Sequence, residues 1–267
     1  MKNKIYLIEI IDEDIKKKLE EEFIITSNIE DADILITRNI KVNKEFIDRA
    51  KKLKLVCIHG TGISEVDIDY CHKKGIKVFN TPYKNVEAVA EFALLFLYYA
   101  ARLNHMELLN KSLLIVGYGH IGKRIHELIK PLNLDVTICR RNDNILELVR
   151  NKDFIILAAS LNESSYQMIN DRVCMNMKDG ASLINIARGD LVDEESIIKA
   201  LEDKRISYYL SDVFHNEPNI DERFDHLNCI KTNHIASNTK EALYKMGIAI
   251  YNGIHQFLEN QSIENEL

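Results

Sequence analysis

No stretch of this 267-residue chain reaches the roughly 18 consecutive apolar residues of a membrane helix. The longest, residues 92–101, is interrupted by tyrosines and closed by Arg102. The amino-terminal segment MKNKIYLIEIIDEDIKKK lacks the apolar core and small-residue cleavage site of a secretory leader. The five cysteines, Cys57, Cys71, Cys139, Cys174 and Cys229, are odd in number and form no C-x-x-C pair. That argues against a disulfide framework, and reduced thiols in the cytoplasm are the expectation. Positive charge is in deficit: 35 Lys and Arg face 41 Asp and Glu, a net charge of −6. A nucleic-acid or anionic-membrane partner is therefore not expected. Histidines, cysteines and carboxylates do not cluster at metal-ligand spacing, so no metal is expected. Internal repeats and low-complexity linkers are also missing. What remains is an apolar content of 46%, sufficient for a full core in one large domain or two ordinary ones.

The pattern along the chain is α/β. Residues 5–10, 34–37, 55–58 and 76–79 read as strands; 14–22, 44–52 and 66–74 read as helices between them. A long apolar helix over 85–102 then leads into a second α/β unit, with strands at 113–117, 135–139, 154–159, 182–186, 207–213 and 229–233. Residues 240–259 return to helical periodicity through Leu243, Met246, Ile250 and Ile254. The expected architecture is two-domain. A Rossmann-type parallel-sheet nucleotide-binding domain spans 85–239 with the linker helix. A smaller flavodoxin-like substrate domain takes 1–84 with 240–267. Two such lobes are expected to leave a ligand cleft between them.

The most informative segment is LLIVGYGHIGKR, residues 113–124. An apolar strand runs into Gly117, Gly119 and Gly122, spaced G-x-G-x-x-G, and a helix follows through Ile121, Ile125, Leu128 and Ile129. In this order the first glycine permits a sharp turn, the second a close approach to a pyrophosphate, and the third tight helix–strand packing. The N–H groups and dipole of the helix start favour phosphate, and His120 and Ile121 supply backbone N–H groups there. The second strand of an NAD-type unit ends in an acidic residue that holds the ribose 2′-hydroxyl. Here the strand ends in Arg140 and Arg141, with Asp143 three residues further on. Two guanidiniums suit a 2′-phosphate, so NADP is preferred over NAD; the other reading is a solvated arginine pair.

Further motifs occur in order: GTGISEVD (60–67), GIKVFNTP (75–82), AVAEFALL (88–95), NIARGDLVDEESIIKAL (185–201), SDVFHNEP (211–218) and TNHIASNT (232–239). With the glycine loop they resemble the D-isomer-specific 2-hydroxyacid dehydrogenases over nearly the whole chain. That resemblance implies NAD(P)-dependent hydride transfer between a small 2-oxo acid and its D-2-hydroxy acid. It implies that Arg188 binds the substrate carboxylate and polarises the keto oxygen, as a planar, permanently charged fork can. It makes His234 the general acid/base, an imidazole titrating near working pH, and Glu217 the carboxylate that orients it. It further implies that Thr61 and Gly62 bind the substrate carboxylate through backbone N–H groups. Asp212 is expected to position the nicotinamide carboxamide and Ala187 to contact the cofactor. Taken singly, Arg188 reads equally as a surface-turn residue, Glu217 as a loop charge and His234 as an internally satisfied histidine.

Two departures from the family pattern stand out. Members usually carry some twenty or more additional residues, often with a tryptophan, between the linker helix and the glycine loop, and use them in forming a homodimer. Here Ser112 follows Arg102 by ten residues and the chain has no tryptophan, which leaves the oligomeric state open. The family's proline after the third strand is also absent, the segment 156–161 reading ILAASL. Among activities, the arginine pair fits glyoxylate/hydroxypyruvate reduction better than 3-phosphoglycerate oxidation. A non-catalytic dinucleotide sensor of the same fold is the competing class. Arg38, His59 and Tyr83 are candidates for substrate-side contacts, with Arg38 either meeting a second anionic group or facing solvent.

Overall fold

The computed structural model describes residues 2–267. The chain forms two compact units, one ending at Asn85 and resuming over Asn238–Leu267, the other comprising Val86–Ser237.

The first unit runs β1 (Lys4–Leu7), α1 (Glu13–Glu22), β2 (Ile24–Thr26), β3 (Ile34–Thr37), α2 (Lys44–Arg49), β4 (Leu55–Ile58), α3 (Ile68–Lys73) and β5 (Lys77–Asn80). Its five strands are parallel in the order β2-β1-β3-β4-β5, the flavodoxin-like order. The unbroken apolar runs of β3 and β4 are buried at every position, as befits strands covered on both faces. Their alternate side chains feed two cores. Ile36 and Cys57 join Ile5, Ile15 and Leu19; Leu35, Val56 and Ile58 join Ile47, Cys71 and Val78. Helix α1 starts where Asp12 accepts hydrogen bonds from the Asp14 and Ile15 N–H groups, a side-chain cap reinforced by acidic residues in the first turn.

The second unit opens with α4 (Val86–Leu103) and continues as β6 (Ser112–Val116), α5 (His120–Ile129), β7 (Asp135–Cys139), α6 (Ile145–Leu148), β8 (Phe154–Leu157), α7 (Asp171–Cys174), β9 (Ala181–Asn185), α8 (Glu194–Glu202), β10 (Ile206–Ser211) and β11 (Cys229–Lys231). Six parallel strands lie in the order β11-β10-β9-β8-β6-β7. The connection direction reverses between β6 and β8. In open α/β sheets the ligand crevice lies beyond the carboxyl ends of the strands at such a point. The glycine loop follows β6, and the ILAASL segment begins in the last two residues of β8 and runs out of its end, so both stand there. Residues 104–111 form the short link between α4 and β6, with Leu108 buried.

The last helix, α9 (Lys240–Leu258), belongs to the first unit. Thr239 caps it by accepting from the Ala242 N–H, and Ile250 and Ile254 complete the core around Ile5 and Phe79. Among the described residues no helix is long and apolar enough to cross a membrane.

Candidate active site

The glycine loop is shaped by close approaches. Gly117 has φ +97°, a region that favours glycine, and a Cβ there would stand 2.6 Å from the Ala159 backbone. The loop after β8 is therefore packed directly on the turn, where ILAASL carries small residues instead of the expected proline. A Cβ on Gly122 would lie 2.1 Å from the Gly117 carbonyl oxygen, so α5 seats against the loop. Gly119 is the N-cap of α5 with no side-chain cap, and nothing lies within 4 Å of the position its Cβ would take. His120 and Ile121 form the first turn, whose N–H groups point out of the helix end. This cradle fits a pyrophosphate on all three glycines.

The Gly117 N–H donates to the Cys139 carbonyl at 2.9 Å, tying the loop to the end of β7. Arg140 and Arg141 follow there, both exposed. The chain turns at once: Asp143 accepts from the Arg140 N–H at 2.7 Å, and the Asp143 N–H donates to the Arg140 carbonyl at 3.0 Å. A carboxylate thus returns to the strand end, a feature the linear spacing did not reveal.

The proposed catalytic residues stand on loops at the carboxyl ends of β9, β10 and β11. Asn185, the last residue of β9, is buried; its amide donates to the Arg188 carbonyl at 2.9 Å and its oxygen accepts from the Ala187 N–H at 3.1 Å. Ala187 is buried and Arg188 half-buried, with Arg188 Nη1 donating to the Ala187 carbonyl at 2.6 Å. A Cβ on Gly189 would lie 2.1 Å from the Phe214 carbonyl carbon. The Arg188 loop is therefore pressed against the loop that carries Glu217. Glu217 accepts from the Phe214 N–H at 2.6 Å through Oε1, and its Oε2 lies 2.9 Å from His234 Nδ1. His234 sits in the left-handed region at φ 53° with its N–H donating to the Asp212 carbonyl at 2.8 Å. Asp212 is 1% exposed. Its Oδ1 accepts from the Thr232 hydroxyl at 2.6 Å and the Ile235 N–H at 2.8 Å, and its Oδ2 from the Ala236 N–H at 2.8 Å. Asp212 thus fixes the loop on which His234 is presented.

Thr61 and Gly62 belong to the first unit, in the loop after β4. The Thr61 hydroxyl oxygen accepts from the Tyr83 N–H at 3.1 Å and the hydroxyl donates to Asn85 at 3.3 Å, while its carbonyl accepts from the Asn80 amide at 3.0 Å. Arg38, after β3, donates to Asn238 Oδ1 at 2.7 Å. Tyr83 is exposed with φ 66°. His59 is fully buried, and neither ring nitrogen has a hydrogen-bond partner among the described residues. Burial first, and the charge of Arg38 second, push its pKa down to about 4, against a smaller opposing pull from the Leu243 backbone. It is held neutral beneath the loop, away from its surface.

The structure therefore brings Glu217, His234 and Asp212 into one network and docks the Arg188 loop beside it. The sequence reading missed Asn185, Gly189 and the return of Asp143. The first two lie inside the NIARG motif; Gly189 is required by Phe214, 25 positions further on, and Asn185 by the turn it closes onto Ala187 and Arg188. Among the described residues no group of three or more His, Cys, Asp and Glu is placed to hold a metal ion.

Residues 96–236 match the family model described as D-isomer specific 2-hydroxyacid dehydrogenase, NAD binding domain. A hydroxypyruvate reductase of Thermotoga maritima is 30% identical over 263 residues, covering 86% of each chain. A D-3-phosphoglycerate dehydrogenase of Methanocaldococcus jannaschii is 29% identical over 271 residues, 89% of this chain and 52% of its own. Among solved structures, a D-isomer specific 2-hydroxyacid dehydrogenase of a Polaromonas species aligns at TM-score 0.86 and 25% identity, over 100% of this chain and 99% of its own. Motif order, strand order and these likenesses agree: the chain belongs to the D-isomer-specific 2-hydroxyacid dehydrogenases, oxidoreductases whose cofactor is a nicotinamide dinucleotide.

Proposed function

We propose that this enzyme reduces a small 2-oxo acid of the glyoxylate or hydroxypyruvate kind to the D-2-hydroxy acid, with NADPH preferred over NADH. The observation that carries the reaction is the 2.9 Å contact between Glu217 Oε2 and His234 Nδ1. The bound nicotinamide supplies the hydride. With Nδ1 engaged by Glu217, His234 delivers a proton from Nε2 to the carbonyl oxygen, and takes it back in the reverse direction. The carboxylate fixes the ring and stabilises the imidazolium, as the orienting acid of a catalytic triad does. Arg188 binds the substrate carboxylate and draws charge toward the keto oxygen; Asn185 and Gly189 hold its loop. The family likeness assigns the first unit, with the Thr61–Gly62 loop, to substrate and the second unit to the cofactor. His234→Asn tests this assignment: turnover should collapse while dinucleotide affinity, measured by fluorescence titration, stays within about twofold, against the 10²–10⁴-fold that general acid/base catalysis contributes. Near-normal turnover in that variant would refute it.

The cofactor preference rests on Arg140 and Arg141 at the end of β7. A second reading has one observation in its favour. Asp143 folds back to the Arg140 N–H, and a carboxylate near that strand end is what NAD-type units use to hold ribose hydroxyls. It points to NADH and, with Arg38 meeting a phosphate, to 3-phosphoglycerate as substrate.

A further inference from the structure

One residue of the glycine loop does something the loop's phosphate-binding role does not require. Tyr118 lies between Gly117 and Gly119, and the guanidinium of Arg140 sits over its ring, 5.2 Å from the centroid. The Tyr118 hydroxyl is 2.8 Å from His126 Nδ1, two turns along α5, and the two rings pack at 5.8 Å. Both ends of this stack are anchored. The Gly117 N–H holds the Cys139 carbonyl, fixing the loop to the residue before Arg140. The Asp143 carboxylate holds the Arg140 N–H, fixing the backbone from which the guanidinium reaches.

We propose that Tyr118 is the positioning residue for cofactor selection: its ring, held by His126, sets the Arg140 guanidinium for a 2′-phosphate. An arginine on an exposed strand end samples many rotamers, and each one frozen on binding costs affinity. A ring beneath the guanidinium pre-sets the fork through a cation–π contact and leaves its N–H edge for the phosphate oxygens. The ring belongs to the same turn that cradles the pyrophosphate. Occupancy of the two phosphate sites on one dinucleotide is therefore geometrically coupled. Tyr118 touches the arginine and makes no phosphate contact in this scheme, and the inference rests on the reading of Arg140 as the 2′-phosphate ligand.

The test measures dissociation constants for NADPH and NADH, and for 2′,5′-ADP against 5′-AMP, in four proteins: unaltered, Arg140→Gln, Tyr118→Leu and Tyr118→Phe. The unaltered enzyme should favour NADPH and 2′,5′-ADP, and Arg140→Gln should abolish that preference. Tyr118→Leu should weaken NADPH about two- to fivefold, the range of an exposed cation–π contact, and leave NADH and 5′-AMP unchanged. Tyr118→Phe keeps the ring and should retain most of the preference. Equal weakening of both dinucleotides in Tyr118→Leu makes the tyrosine a general support of the loop and overturns the inference. So does full NADPH preference in Tyr118→Leu while Arg140→Gln loses it; the reading of Arg140 then survives. No preference in the unaltered enzyme removes that reading and this inference together.

Discussion

Substituting Gly189 with alanine separates this account from one in which Arg188 merely occupies a surface turn. The added Cβ would stand 2.1 Å from the Phe214 carbonyl carbon, 2.3 Å from its oxygen and 2.4 Å from the His215 nitrogen. All three are backbone atoms, so no side chain can swing away. Ordinary carbon contacts begin near 3.5 Å, so the two loops must part by about 1.5 Å. Overpacking of this kind costs roughly 1–3 kcal/mol, a fall in Tm of about 2–4 °C per kcal/mol for a unit of this size. The functional loss should be larger. Arg188 precedes the substitution and Glu217 follows Phe214 by three residues, so the opening separates the arginine proposed to bind substrate from the proposed acid/base pair. A misplacement near 1 Å costs about 10²-fold in rate. Gly189→Ala should therefore lower kcat/KM for the oxo acid by about that factor. Thermal unfolding, steady-state rates and dinucleotide titration together provide the assay. Unchanged Tm and turnover would show that the two loops are not locked as described.

Glu217→Gln should lower kcat by about 10²–10⁴-fold, as loss of a general acid/base arrangement does, with dinucleotide KM little altered; steady-state kinetics decide it. Asp212→Asn turns a donor group toward the Thr232 hydroxyl or the Ile235 and Ala236 N–H groups, and should destabilise the second unit by about 1–3 kcal/mol in urea unfolding. His59 gives a pH signature. The unfolded chain binds its proton below about pH 6.5, the folded chain only below about 4. The unfolded state thus holds more protons inside that window, and stability is lost as pH falls through it, by up to roughly 3 kcal/mol. His59→Leu should flatten this acid limb in stability measurements between pH 7 and 4; an unaltered limb would place the proton elsewhere.

Most of the fold is legible because its signals are local. The runs ILIT and LVCI declare buried strands, and the glycine spacing declares its turn without reference to distant residues. Strand β2 escaped because it is three residues long, begins with an exposed Ile24 and exists only through pairing with Lys4–Tyr6. The four-residue helices α6 and α7 are too short to show a period. The residue types of the site were visible as motif letters, but their mutual dependence was not. Gly189 is required by Phe214, the His234 loop by the buried Asp212, and the Arg140 turn by Asp143. His59 sits beside the Thr61–Gly62 loop, and only the packing of α9 over the sheet shows that it is buried. Each of these is a tertiary contact with no periodic trace in the sequence.

Oxidation of NADPH and NADH, followed with glyoxylate, hydroxypyruvate, pyruvate and 3-phosphohydroxypyruvate in parallel and with His234→Asn as control, tests the proposed reaction. Turnover of glyoxylate or hydroxypyruvate is expected, faster with NADPH and abolished in the control. Tight dinucleotide binding without turnover of any of the four acids, or turnover that survives the loss of His234, would contradict it.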